Sequence, residues 1–310
     1  MLADFKVGDK IKHICLCKVQ KVGTSSNGGV FARGMIQDNS ASLPFICFDS
    51  HTVEQLKNLS TSKAFVVYAT IDVNRYANDG SLQAMIQKIE EPLAKDDLSH
   101  LLASGDVDVK AYEKKLEDLL ESLIDPDIKR LLTEILQGNL YQEYKTNPAG
   151  MSYHHAYIGG LFEHSIDVAQ LALAMGEQIG KVDKDLIIAG ALLHDIGKLK
   201  EISSDIGFPY TVEGKLVGHI SLGAMMISEY AAKLSPAMPQ ERLQEVLHIV
   251  LSHHGAPDKG SPMACKTKEA FIVHYADELD SIMNKFRHPE GTGEWQYSKM
   301  LSREIQIANV

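Results

Sequence analysis

An imidazole and a carboxylate stand side by side in the stretch LLHDIGKLK, as His194 and Asp195, at the end of an apolar run and just ahead of Gly197 and Lys198. Adjacent helical positions differ by only about 100° in direction, so such a pair can bind one divalent cation together. The glycine ends the helix and returns the lysine towards the cation. Alone the pair is weak evidence, because a helix-end histidine is commonly a cap or a surface residue. Its companions change the reading. His164 begins a stripe with Val168, Leu171 and Met175, His253 follows Val246 and Val250, and Asp277 follows Ala270, Val273 and His274. Each spacing puts a ligand-type residue on the face its helix turns inward. Buried imidazoles and carboxylates without partners are costly, and several that converge need a shared one. A metal ion is that partner.

Other residues qualify less directly. His219 opens the helix start GHISLG, and His253 and His254 are adjacent in LSHHG. Neighbours on a helix cannot share one direction, so His253 is the expected ligand and His254 is left to contact substrate or to complete a second site. In SYHHAYIGGLFEHS, His154 and His155 precede Gly159 and Gly160, whose missing side chains allow close approach of a helix or a phosphate. Either histidine is a candidate for substrate binding or for protonating a leaving oxygen, as a catalytic acid. Lys198 is a candidate for the substrate phosphate. His13, His51 and His248 need no more than core or surface roles, and His274 stands one turn from Asp277 without a demanded function. No serine or cysteine nucleophile motif is present.

These residues must be carried by helices. From about residue 108 to 284, the segments 108–122, 126–144, 161–180, 184–196, 219–234, 240–254 and 267–284 place apolar residues three and four apart. Ahead of them the period changes. Residues 10–22, 30–38, 42–49, 63–74 and 81–90 read as five strands, with a short helix, HTVEQLKNLS, between the third and fourth. That order is the order of an OB-fold, a five-stranded barrel that often binds single-stranded nucleic acid. Phe31, Phe45, Phe48, Tyr68 and Tyr76, with Arg33 and Arg75 nearby, are its candidate stacking residues, of which Phe31 and Arg33 are chosen for substrate. The fold class is therefore mixed and multidomain: an OB-like β-barrel, then an all-α bundle.

Composition sets outer limits. The 310 residues are 45% hydrophobic and 23% charged, with no apolar run long enough for a bilayer span. The N-terminal MLADFKVGDK lacks the apolar core of a signal peptide, so the expected location is cytoplasmic. Cys15, Cys17, Cys47 and Cys265 form no paired knuckle and read as reduced, structural thiols. A net charge of −10 argues against nucleic-acid binding by overall attraction. The charge is unevenly spread, since residues 1–92 carry ten Lys and Arg against nine Asp and Glu.

The order His164, His194-Asp195, Asp277 resembles the H…HD…D signature of the HD phosphohydrolase superfamily. The resemblance implies an all-α bundle that holds Mn²⁺, Mg²⁺, Fe²⁺, Co²⁺ or a related ion and hydrolyses phosphate esters. His219 and His253 match the extra ligands of its two-metal branch. There the first ion would take His164, His194, Asp195 and Asp277, and the second would share Asp195 and add His219 and His253, with a bridging hydroxide as nucleophile. The barrel, a helical connector and a domain introduced by HHAYIGGLFEHS together resemble the YhaM-type 3′-to-5′ exoribonucleases. That likeness implies Mn²⁺-dependent removal of nucleotides from the 3′ end of single-stranded RNA, with some action on single-stranded DNA. It divides the chain into an OB-fold nucleic-acid-binding domain (1–92), a helical linker (93–148), an HD domain (149–284) and a C-terminal segment (285–310). The last contains Arg287, Trp295, Tyr297, Lys299 and Arg303, and either covers the site or, by preference, forms a subunit contact in a homo-oligomer. Two rivals stand beside this reading. A cyclic-nucleotide or cyclic-dinucleotide phosphodiesterase would use the same metals, although LSHHGAPDKGSP lacks the Gly-Tyr-Pro of the cyclic-dinucleotide branch. A non-catalytic single-strand-binding protein would make the bundle structural.

Overall fold

Five strands close on themselves in the order β1-β2-β3-β5-β4, with β4 returning to β1. They are β1 (Lys10–Thr24), β2 (Val30–Gln37), β3 (Ser42–Cys47), β4 (Lys63–Val73) and β5 (Leu82–Glu90), and α1 (Ser50–Lys57) lies between β3 and β4 in the chain. This is a computed structural model, which describes residues 1–24, 27–59, 62–74, 80–96, 98–101, 107–150, 155–203, 208–287, 294–298 and 300–307. His154, Arg75, Tyr76 and Lys299 lie outside them. Pairing is antiparallel except between β3 and β5. Register shifts leave Gln20 of β1 and Gln87 of β5 as extra residues, and these bulges let β1 and β5 bend enough to close the barrel. Alternation does the rest. Ala32 and Ile36 face inward and Phe31 and Arg33 outward, while Cys15, Cys17, Phe45 and Cys47 fill the interior as free, buried residues. Phe45 is thus core, which removes it from the stacking candidates. Asp49 caps α1 by accepting from the Thr52 amide, and Val53 and Leu56 close the barrel core.

The chain divides into two compact units, one built on Met1–Ser104 and the other on Gly105–Ser204 and Tyr210–Val310. The second begins with α2 (Val109–Glu121), α3 (Pro126–Leu136) and α4 (Tyr141–Thr146). The expected single helix over 126–144 is broken at Gly138, and α3 closes two residues before it. The expected linker is revised as well. Leu131, Leu132, Ile135 and Tyr144 are fully buried in the same core as Phe162, Ile166 and Leu192, because an apolar stripe of that width has to be covered.

The remaining helices are α5 (Gly160–Ile179), α6 (Lys184–Leu193), α7 (Lys198–Glu201), α8 (Val212–Val217), α9 (His219–Ala231), α10 (Gln240–Ser252) and α11 (Lys268–Arg287). A small antiparallel hairpin, β6 (Trp295–Ser298) and β7 (Arg303–Gln306), follows in the segment for which no element was expected. Among the described residues no helix is long and apolar enough to cross a membrane.

Candidate metal centre

Each ligand-type residue reaches the centre for a local reason. His164 lies one turn into α5, on its buried face with Leu161, Ser165 and Val168. Helix α6 is buried almost throughout, so it ends inside the protein, and His194 and Asp195 occupy the turn that Lys198 N–H closes on the Asp195 carbonyl. Gly197 permits the next step. A Cβ there would lie 1.9 Å from the carbonyl oxygen of His219, so the first residue of α9 packs directly on the turn. His253 and His254 follow the end of α10, and Asp277 sits midway along α11.

The side chains gather around the two oxygens of Asp195. On one side, His164 Nε2 is 3.2 Å from His194 Nε2 and 3.2 Å from Asp277 Oδ1, and His194 Nε2 is 3.3 Å from Asp195 Oδ2. On the other, His219 Nε2 is 3.4 Å and His253 Nε2 is 3.7 Å from Asp195 Oδ1. His254 joins this second group, offering a ring nitrogen within 4.8 Å of those of His219 and His253. Both adjacent histidines reach this side because the helix has already ended at Ser252, which puts His254 in the alternative position of completing the second group.

Hydrogen bonding decides what these groups are free to do. The Nδ1–H of His164 donates to Asp280 at 2.8 Å, that of His194 to the Ala191 carbonyl at 2.7 Å, and that of His253 to the Val250 carbonyl at 2.7 Å. His219 Nδ1–H donates to Glu201 at 3.1 Å. All four rings are thereby held in the tautomer that presents an Nε2 lone pair to the centre. Asp195 Oδ1, His219 Nε2 and His253 Nε2 are buried without any hydrogen-bond partner. Lone pairs facing one another across 3–4 Å in a dry interior repel, and a cation among them removes the conflict. The separations also suit a shared ion, since metal–ligand bonds of about 2.0–2.2 Å put neighbouring ligand atoms about 3 Å apart. The residues therefore fit a divalent metal, and their mixed imidazole and carboxylate character suits a first-row transition ion.

Electrostatics agree. Burial opposes the charge on Asp195, but Lys198 and His194 overcome it and hold the carboxyl well below the usual range. Asp277 is likewise held down against burial, chiefly by His164 and His194. Burial works against a charged His164, yet Asp277 and Asp280 raise its pKa to about 10, so positive charge is favoured where the ring meets those two carboxylates. Burial pushes His253 and His254 down, leaving them neutral and able to ligate.

Beside the cluster lies a cavity of about 210 Å³, lined by Asp195, Lys198, His254, His274, Asp277 and Met300 among others. Lys198 is only 7% exposed, its Nζ 2.5 Å from Asp195 Oδ2, which removes the surface-lysine reading. Met300, in the turn between β6 and β7, brings the C-terminal segment to the cavity wall. His155 is not there. Its ring is buried behind His164, with Nε2 on Asp280 and Nδ1 beside Glu163 and Tyr157, so the expected contact with substrate and the proton-donor role are corrected: neither ring nitrogen is turned to the cavity. Phe31 and Arg33 line a separate groove of about 330 Å³ on the barrel, with Phe48, Pro44 and Gln83. Tyr68 is engaged by Glu90, and His13 by the buried Asp38.

Sequence reasoning missed Asp280, Glu201, Lys259 and Glu278. Asp280 had a usable signal, as a carboxylate three residues after Asp277 on a buried stripe; Glu201 had none, since only the fold brings it to His219.

Residues 161–282 match the family model described as the HD domain. An HD domain indicates a metal-dependent phosphohydrolase, and the clustered histidines and aspartates could hold its ions. No solved structure matches the chain.

Proposed function

We propose that this protein is a phosphodiesterase that removes nucleotides from the 3′ end of single-stranded RNA, and of single-stranded DNA to a lesser degree, with two divalent ions, Mn²⁺ foremost. The observation that carries the two-ion reading is Asp195, whose oxygens face different groups: His164 and His194 about Oδ2, with Asp277 beside those two rings, and His219 and His253 about Oδ1, with His254 beside them. When bound, two such ions would supply Lewis-acid polarisation of the scissile phosphate and a water that is nucleophilic at neutral pH.

The chain's own residues account for the rest. Lys198, buried beside Asp195, faces the cavity with a charge suited to a phosphate oxygen, and Lys259 stands at the same cavity, 3.7 Å from Glu278. His254 adds a neutral ring to the wall. On the barrel, Phe31 and Arg33 share an outward face and Phe48 is 53% exposed, an arrangement that favours stacking of unpaired bases. The near-neutral charge of residues 1–92 fits such a surface better than a phosphate-tracking one.

The test is to strip the metal, add 5′-labelled single-stranded RNA, and supply Mn²⁺ or Mg²⁺ in turn. A descending ladder is expected. Intact RNA alongside hydrolysed cyclic dinucleotide would replace this reading with the cyclic-dinucleotide one, and binding without hydrolysis of either would leave a single-strand-binding protein.

A further inference from the structure

The segment leading into His164 holds an unusual backbone. His155 has φ of +47°, in the left-handed region that a non-glycine residue enters only at a cost. Two glycines accommodate it. Gly159 has φ of +81°, and a Cβ on Gly160 would fall 2.0 Å from the His155 carbonyl oxygen. That carbonyl accepts from the Ala149 amide, and the His155 amide donates to Asn284 Oδ1 at 3.1 Å. The result is a ring 1% exposed, carried inward rather than out to the cavity.

What the ring does there follows from its partners. His155 Nε2–H donates to Asp280 Oδ2 at 2.9 Å, and the same oxygen accepts from His164 Nδ1–H at 2.8 Å. The other histidines of the centre show why this matters. His194 and His253 lean on main-chain carbonyls, which the fold already fixes. A carboxylate side chain can rotate and needs support of its own. Glu201, behind His219, has it from the His219 backbone N–H at 3.0 Å. Asp280 has it from His155 on Oδ2, with the Arg287 guanidinium 3.6 Å from Oδ1.

We propose that His155 is a positioning residue: by holding Asp280 it fixes the orientation and tautomer of His164, and so sets the affinity of the first ligand group for its cation. The inference rests on the metal-dependent reading of the site, but it concerns binding and not turnover. His155 touches neither cation nor substrate.

Two substitutions separate positioning from packing. His155→Gln keeps an N–H donor able to reach Asp280, whereas His155→Leu fills similar space without one. Co²⁺ and Mn²⁺ binding to the full-length protein are measured by calorimetry and by the cobalt absorption spectrum, with folding followed by circular dichroism. The leucine variant should bind the first ion about 10- to 100-fold more weakly, with a changed spectrum, and the glutamine variant should recover most of that loss. Equal affinity in wild type and leucine variant, or equal weakness in both variants, would overturn the proposal. Asp280→Asn approaches the pair from its other end: it should lose a similar factor, and the double variant with His155→Leu little more. Additive losses would overturn it too. A wild-type protein that binds no Co²⁺ would instead remove the metal-dependent reading itself.

Discussion

Asp38 in the barrel and Asp195 in the helical unit are both buried carboxylates, and they are treated in opposite ways. Asp38 is saturated. Its oxygens accept from the backbone amides of Leu2, Ser40 and Ala41, from the Ser40 hydroxyl and from His13. Asp195 meets Lys198 on Oδ2, while Oδ1 faces two ring nitrogens that have nothing to donate. A buried charge that the chain satisfies by itself is part of the fold. One left open among other open acceptors is a place kept for something the chain does not contain.

That contrast can be broken at several points. The largest effect is expected for Asp195→Ala, which removes the only carboxylate common to both ligand groups. RNA hydrolysis should fall on the order of 10³-fold or more while single-strand binding persists, measured by single-turnover assay and filter binding. Unchanged hydrolysis would place the chemistry elsewhere. Next, Mn²⁺ at a hundredfold over its Kd should stabilise the protein by about 2.7 kcal/mol, seen as a rise in Tm that chelation reverses and Asp195→Ala abolishes.

Asp38→Asn should cost about 1–3 kcal/mol of barrel stability and leave Mn²⁺ affinity untouched. Burial works against the Asp38 charge, but Ser40, Leu2 and His13 bring its pKa down to about 2. The folded value is depressed, so this stabilisation is fully present above the ordinary carboxylate range and is lost as pH falls from about 4 through about 2. Melting curves across that window should show the loss in wild type and its absence in the asparagine variant. The smallest effect is Phe48→Ala, expected to weaken single-stranded RNA binding by about 1–2 kcal/mol with no change in metal binding.

The ligands were legible in the sequence because His164 and Asp277 lie on long helices, where the 3.6-residue period marks the inward face over several turns. The barrel was legible because five strands alternate and the turns between them are rich in glycine, asparagine and serine. Short elements carry no such period: α7 has four residues, α8 six, and β6 and β7 four each. His155 was singled out for contact with substrate, but its φ of +47° has no signature in the sequence, and its ring is engaged by Asp280, Glu163 and Tyr157 instead. His254 was left between two roles because α10 stops two residues earlier than its periodicity suggests, which lets both adjacent histidines face the same side.

Gly197 has a consequence for how such a centre can change. The spacing between its two halves is set by main chain touching main chain, Gly197 against His219 and Gly223, with no room for a methyl group. The ligands can be exchanged one for another without moving that gauge. A single added carbon at residue 197 cannot be placed without moving it, because it would fall 1.9 Å from the His219 carbonyl oxygen and 2.5 Å from the Gly223 nitrogen, so the distance from Asp195 to His219 is held by the want of one methyl group.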